Sequence, residues 1–265
     1  MSHVHKPVNS EIRKVSDEAP CEILNATTGL TPSFSTLMRR RELLGAAGTV
    51  AAGAAAATLL NSRAAHALPA FIEYLNILAT GEALFVTFYS NGVDHHEELG
   101  IQGDALTALK AILTEEQIHL DFATKNGGKP ATTDFSFPHG HDTFKQRSLF
   151  LETQQLSEEL TNGALLAWIK DWAAMGQPHL AQIGGQLMQV EGGHRVVGRV
   201  IMGADPWDDW GFGPVAPQLK SFLDVPAVVA AAGFLSPTPG NHFKFRPVSA
   251  SFSGVINTTP PSFPN

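Results

Sequence analysis

Two Glu-x-x-His motifs, Glu116-Gln117-Ile118-His119 and Glu191-Gly192-Gly193-His194, are the residues of this 265-residue chain best suited to chemistry. A spacing of three puts both side chains on one face of a helix, where carboxylate and imidazole together form a ligand pair for a divalent metal. About 0.6 such spacings would arise by chance from 14 Glu and 11 His, so the bare pattern carries little weight. Placement carries more. Each motif falls inside an apolar helical stripe, Leu109, Ile112, Glu116, His119, Ala123 in one case and Leu180, Ile183, Leu187, Val190/Glu191, His194, Val197, Ile201 in the other. A charged side chain on such a face must be paired, protonated or metal-bound, because burying it bare is costly.

Two further stripes each offer a carboxylate: Glu82 among Leu75, Leu78, Phe85 and Tyr89, and Glu152 or Glu159 among Leu149, Leu156, Gly163 and Leu166. Two Glu-x-x-His helices with one Glu from each of two others form the donor set of a di-iron or di-manganese carboxylate centre. Register decides between Glu152 and Glu159. In an antiparallel pair, residues at one height are equidistant from the turn. Glu191 and His194 lie 14 and 17 residues after Gln177, Glu159 lies 18 before it and Glu152 25 before it. Glu152 would sit roughly 10 Å away along the axis. Glu159 is therefore the expected ligand, and Glu158, one residue off the stripe, is expected to point elsewhere. The expected metal set is Glu82, Glu116, His119, Glu159, Glu191 and His194, holding two Fe or Mn ions. Glu82 and Glu159 would be terminal, Glu116 and Glu191 bridging, and His119 and His194 the imidazole donors. His95, His96, His139, His141 and His179 fall in loops or at helix ends and read as solvated.

The elements that must position these residues read as an all-α four-helix bundle. Helices are expected over about Pro69 to Tyr89, ended by Asn91-Gly92; Asp104, as N-cap, to Lys125; Asp142 to Met175; and the stretch from the Gly176-Gln177-Pro178 turn to Met202. Some 17 residues join the second helix to the third, longer than a turn needs, which predicts a crossover along the bundle. Gly184, Gly185, Gly192 and Gly193 each cost the fourth helix about 1 kcal/mol of propensity and mark where it would bend. A Pro- and Gly-rich tail over 203–265 is expected to hold one short helix, from about Ala227 to Phe234. Trp168 and Trp172 read as bundle packing, Trp207 and Trp210 as pins for the tail.

Upstream, Arg39-Arg40-Arg41-Glu42-Leu43-Leu44 opens an uncharged run over 43–60, dominated by Ala and Gly, that leads to Ala65-His66-Ala67. Arginines, an apolar stretch and a small-x-small site resemble a twin-arginine (Tat) export signal, with cleavage expected after Ala67. Such a run is too poor in Leu, Ile and Phe to read as a permanent span. Residues 1–67 are thus expected to be a signal region, 68–202 the bundle and 203–265 an extension. Residues 1–37 read as a disordered extension or as lying ahead of a true start at Met38. The expected partner is the Tat machinery, the expected location periplasmic or extracellular, with no membrane span left after cleavage.

Composition narrows the rest. The chain has 18 Lys+Arg against 25 Asp+Glu, and removal of 1–67 would leave it more acidic, so nucleic acid is not an expected partner. The single cysteine, Cys21, excludes an intramolecular disulfide and a thiolate metal site. No G-x-S-x-G elbow or Gly-rich phosphate loop is present. Homo-oligomerisation is left open.

Leu75-Asn76-Ile77-Leu78-Ala79-Thr80-Gly81-Glu82 through Phe88-Tyr89, the two Glu-x-x-His motifs and the segment Gly211-Phe212 to Phe234 resemble the secreted ferritin-like domain family that includes plant desiccation-related proteins. The resemblance covers most of Phe71 to Phe234. It implies a ferritin-like bundle with a post-bundle extension and the same six ligands. If the chain is an enzyme, it implies a di-metal oxidoreductase of ferroxidase or catalase type. The alternative is a non-catalytic envelope or desiccation-related bundle without metal.

Overall fold

The computed structural model describes residues 58–207 and 219–249, with side-chain surroundings from residue 70 onward. These residues belong to one of two units of the chain, Gly53–Ser262. The arginine motif, Cys21, Trp210 and most of the apolar run before the bundle lie outside the described residues.

Four long helices make the bundle: α1 (Thr58–Asp94), α2 (Gly103–Lys125), α3 (Arg147–Ala174) and α4 (Pro178–Met202). The tail adds a 3-10 turn, Phe222–Asp224, and α5 (Val225–Ala231). Helix α1 packs on α2, and α3 on α4. Every pairing is antiparallel. Gly92 near the end of α1 faces Leu109 near the start of α2, while Gly127 and Gly128 after α2 return to Ile72 and Leu75. Trp168 bonds the Leu180 carbonyl across the α3–α4 turn, and Gln154 bonds the His194 carbonyl further out.

The connection after α2 runs back along α1. Lys129 N–H donates to Asn76 Oδ1, Ala131 N–H to Thr80 Oγ1, and Phe137 and Phe144 reach Phe88. On its way it forms β1 (Asp134–Phe135), paired antiparallel with β2 (Phe243–Lys244) of the tail, Asp134 opposite Lys244. Two residues per strand are too few to leave an alternating pattern in the sequence. The tail is held elsewhere by Asp171, whose Oδ2 accepts from Tyr74 Oη, Ser221 Oγ and the Phe222 N–H.

Several boundaries differ from expectation. Helix α1 begins at Thr58 and passes through Ala65-His66-Ala67 and Pro69. It also runs past Asn91-Gly92, because Gly92 leaves room for the Phe150 ring, whose edge would lie 2.5 Å from a Cβ there. Helix α2 is capped by extended Gln102, and Asp104 sits in its first turn, where a negative charge suits the helix dipole. Residues Gly140–Phe144 form a 3-10 turn, so α3 starts at Arg147. The tail helix is Val225–Ala231, starting at a Pro in its first turn. Trp207, expected to pin the tail, is 64% exposed, and its carbonyl accepts from Arg199.

Helix α4 is continuous through all five of its glycines. Gly184 is required by packing: a Cβ there would lie 2.4 Å from Cδ1 of fully buried Trp168. Gly193 faces open space. Overpacking costs about 1–3 kcal/mol and Gly→Ala in a helix returns about 1. Gly184→Ala should therefore lower the melting temperature and Gly193→Ala raise it, as differential scanning calorimetry would show.

Among the described residues, Ala70–Asp94 is long and apolar enough to cross a membrane, but 67% of its most apolar stretch is buried inside the protein. It is a largely buried helix of the bundle. Two aromatic layers pack on it, Tyr74 with Trp168, Trp172 and Phe222 toward one end and Phe88 with Phe137, Phe144 and Phe150 toward the other. Polar side chains lie between them.

Candidate metal centre

Each helix lends this polar layer a carboxylate from its buried face. Glu82 comes from α1, Glu116 with His119 from α2, Glu158 from α3 and Glu191 with His194 from α4; Glu116, Glu158 and Glu191 are 0% exposed. Their ligand atoms form two overlapping groups, Glu82, Glu116, His119, Glu191 and Glu116, Glu158, Glu191, His194, each with one atom per residue within 4.8 Å of the others.

Glu116 and Glu191 belong to both groups and span them. Glu191 Oε1 is 3.0 Å from His119 Nδ1, and its Oε2 is 3.0 Å from His194 Nδ1. Glu116 Oε1 lies 3.0 Å from His194 Nδ1, and its Oε2 3.7 Å from His119 Nδ1. Glu82 approaches only His119, at 3.7 Å, and Glu158 only His194, at 3.8 Å. The imidazole centroids are 6.5 Å apart.

One of these contacts is a hydrogen bond, between His194 Nδ1 and Glu191 Oε2 at 3.0 Å; most of the others are not. Glu82 Oε2, both oxygens of Glu116, His119 Nδ1, Glu158 Oε2 and Glu191 Oε1 are buried without a hydrogen-bond partner, although several lie about 3 Å from an opposite group. Atoms that converge without the alignment of a hydrogen bond fit ligands aimed at a common point. Leaving this many polar atoms unsatisfied is costly unless something else satisfies them. The donor set is carboxylate oxygen and imidazole nitrogen, and it fits two hard or borderline divalent ions.

The electrostatics show what such ions would replace. Burial opposes charge on His119 and His194, but the surrounding carboxylates outweigh it and hold both imidazoles well above their ordinary pKa. Burial pushes the Glu82 and Glu158 carboxyls well up, and His119 and His194 respectively offset this only in part. Burial also works against ionising Glu191, but contact with both imidazoles prevails and keeps it below the usual carboxylate range. Protons thus supply the positive charge that metal ions would bring.

Five of the six residues expected from the sequence meet here: Glu82, Glu116, His119, Glu191 and His194. Glu159 does not. Its carboxylate points outward, 3.8 Å from Arg195, and Glu158 occupies the inner position. Glu152 is exposed, 3.8 Å from His139. The apolar stripe misdirected the reading because the inner face of α3 is itself polar at this height. Gln154, Ser157 and Glu158 are buried there, while Leu156 is exposed. Equidistance from the turn could not separate Glu158 from Glu159, since neighbours differ by about 1.5 Å of rise but by more than a quarter turn of direction.

Sequence reasoning also missed three supporting residues. Glu115 Oε2 is 2.9 Å from His194 Nε2, which leaves Nδ1 facing the cluster. Tyr89 donates its hydroxyl to Glu158 Oε1, and Gln154 Nε2 donates to the Tyr89 oxygen and to the His194 carbonyl. Position beside Glu116 was the only available signal for Glu115. A carboxylate that orients a metal-binding imidazole is typically worth 10–100-fold in metal affinity, roughly. Glu115→Ala should therefore weaken loading by about that factor in competitive chelator titrations while leaving helicity unchanged.

Searches of curated proteins and of solved structures found no match for the chain. A family model described as ferritin-like domain matches residues 71–204, just over half of the chain and all four bundle helices. The chain belongs to the ferritin-like domain family.

Proposed function

We propose that this is an exported ferritin-like protein that holds two iron or manganese ions and handles oxygen, peroxide or iron. The overlap of two four-residue groups through Glu116 and Glu191 carries the reading. Bound ions of this kind supply redox change and Lewis acidity. The chain supplies the rest. Glu116 and Glu191 would be shared by both ions, Glu82 and Glu158 would each serve one, His119 and His194 would give the nitrogen donors, and Glu115 would orient His194. Tyr89, fully buried and bonded to Glu158, holds that carboxylate; burial and the Glu158 charge push the Tyr89 pKa well up, so its proton stays on the phenol oxygen.

Export by the twin-arginine route is part of the proposal. It rests on Arg40-Arg41, the apolar run and Ala65-His66-Ala67, and that route would carry the bundle folded, with ions already in place. Elemental analysis of protein purified from the cell envelope should find two Fe or Mn per chain. Glu158→Ala should lose about one ion and Glu159→Ala none. Less than one ion in the unaltered protein, or equal loss in the two variants, would reject the reading.

The second reading is a metal-free envelope or desiccation-related bundle. Protonation of the cluster favours it, because burial holds the Glu82 and Glu158 carboxyls neutral while the Glu191 anion faces both charged imidazoles. It leaves the six unpartnered buried atoms without a role.

A further inference from the structure

An open cleft of about 380 Å³ lies near the C-terminal end of α1, between that helix, the 3-10 turn of the connection and the tail. Its charge is one-sided. Of the nine residues that line it, six are basic: His95, His141, Lys145, His242, Lys244 and Arg246. With 18 Lys+Arg and 11 His in 265 residues, composition would place about one basic residue in such a set. No Asp or Glu lines the cleft, although acidic residues outnumber Lys and Arg in the chain.

A strand-like pattern builds this wall. The tail run His242-Phe243-Lys244-Phe245-Arg246 alternates basic with aromatic residues, and in extended backbone that period sends the two kinds to opposite faces. Phe243 is buried and Phe245 half-buried, whereas His242, Lys244 and Arg246 are exposed. The Phe243 ring packs on Phe144 at 5.2 Å and on His141 at 4.9 Å between centroids. Asn241 fastens the run to the connection, donating Nδ2 to the Phe137 carbonyl and accepting from the Phe137 N–H. The basic groups thus stand on backbone already in place.

Gathering like charge on one surface is unfavourable unless an opposite charge meets it. The protein meets only part of it. Asp94 pairs with Arg246 and Asp134 with His242, each at 2.6 Å. Among the described residues His141, Lys145 and Lys244 form no ion pair. A metal ion is a poor occupant, because Lys145, Lys244 and Arg246 would repel it. An anion is a good one.

We propose that this cleft binds a small organic phosphate monoester, with Lys145, Lys244 and His141 as donors to the phosphate. A monoester carries about −1.5 to −2 charge at pH 7 and three strong acceptor oxygens, which suits several unpaired cationic donors better than a single carboxylate would. The volume lies in the range of roughly 300–1,000 Å³ typical of small-molecule sites, so it leaves room for an organic group beyond the phosphate. None of the nine lining residues belongs to the carboxylate and imidazole cluster, so the site stands whether or not metal is bound.

Isothermal titration calorimetry of the intact protein with glycerol 3-phosphate, in phosphate-free buffer at low salt, should show one saturable site. Lys145→Gln and Lys244→Gln should each weaken it about tenfold, and the double variant should show no measurable binding, with helicity unchanged because both side chains are exposed. Lys125→Gln, at the end of α2 and paired with Asp121, should leave the affinity as it was. Inorganic phosphate should bind more weakly than the ester. Absence of a saturable site, full affinity in the double variant, or equal loss in Lys125→Gln would overturn the proposal. Inorganic phosphate binding as tightly as the ester would overturn the organic ligand. Binding to vesicles containing phosphatidic acid without binding of the soluble ester would overturn it in favour of a lipid surface.

Discussion

Glu191→Gln is expected to empty both metal positions, whereas Glu82→Gln and Glu158→Gln are each expected to empty one. The difference follows from contacts. Glu191 is the one carboxylate 3.0 Å from both imidazoles, whereas Glu82 approaches only His119 and Glu158 only His194. Residues that merely orient a ligand cost about 10–100-fold in affinity when lost, so loss of a shared ligand should cost at least about 100-fold at both positions. Glutamine keeps the volume, so no cavity confuses the result. The metal-free protein should also suffer, because two raised imidazoles lose the anion between them, and breaking a buried pair costs about 3–5 kcal/mol. Elemental analysis and calorimetry of the three variants would test this. Retention of one ion by Glu191→Gln, or loss of both by Glu82→Gln, would contradict the bridging arrangement.

Removal of metal should be the second large effect, and its size should depend on pH. A ligand that binds only the native state at 100 times its Kd adds about 2.7 kcal/mol per site. For a domain of this size each kcal/mol is worth roughly 2–4 °C, so two sites should raise the melting temperature by about 10–20 °C over chelated protein. In the chelated protein, Glu82 and Glu158 have folded pKa values above the ordinary 4.5, and His119 and His194 above the ordinary 6.5. Groups raised on folding stabilise fully below their unfolded pKa and lose that stabilisation as pH rises through the folded value. Glu191, lowered on folding, runs the other way, its stabilisation falling away only in acid below the ordinary 4.5. Chelated protein should therefore lose stability as pH rises from about 5 through neutrality. Metal binding displaces the same protons, so affinity should rise over that range and the loaded protein should show a flatter profile. Melting curves from pH 5 to 9, with and without chelator, would decide it. A metal-free protein that grows more stable toward pH 8 would contradict this charge arrangement.

Much of this protein was legible in its residues because helical periodicity is a local property. Leu75, Leu78, Glu82, Phe85 and Tyr89 lie on the stripe expected of α1, and all are buried; the same holds for Leu109, Ile112, Glu116, His119 and Ala123 of α2. The four helices, the long connection from α2 to α3 and a short helix in the tail follow from that periodicity and from Gly/Pro punctuation. Helix ends were less legible. Gly92 carries α1 onward because the Phe150 ring fills the space it leaves, a contact 58 positions away in sequence.

Tertiary structure alone decided which way α3 turns. Glu158 and Glu159 are one residue apart, and hydrophobic stripe and register together preferred Glu159, which the fold turns outward beside Arg195, over Glu158, which it buries. Where a helix supplies ligands, its inner face must itself be polar, and Gln154, Ser157 and Glu158 erase the signal that would identify it. The partnership of Glu115 with His194 spans 79 residues and two helices, and the basic cleft exists only between the end of α1, the connection after α2 and the tail. By itself the sequence determined which chemical groups this bundle could bring inside, since their types and spacing are written residue by residue. Which of them meet, and what space they leave, depended on how the helices rotate against one another, a matter of packing that no single segment contains.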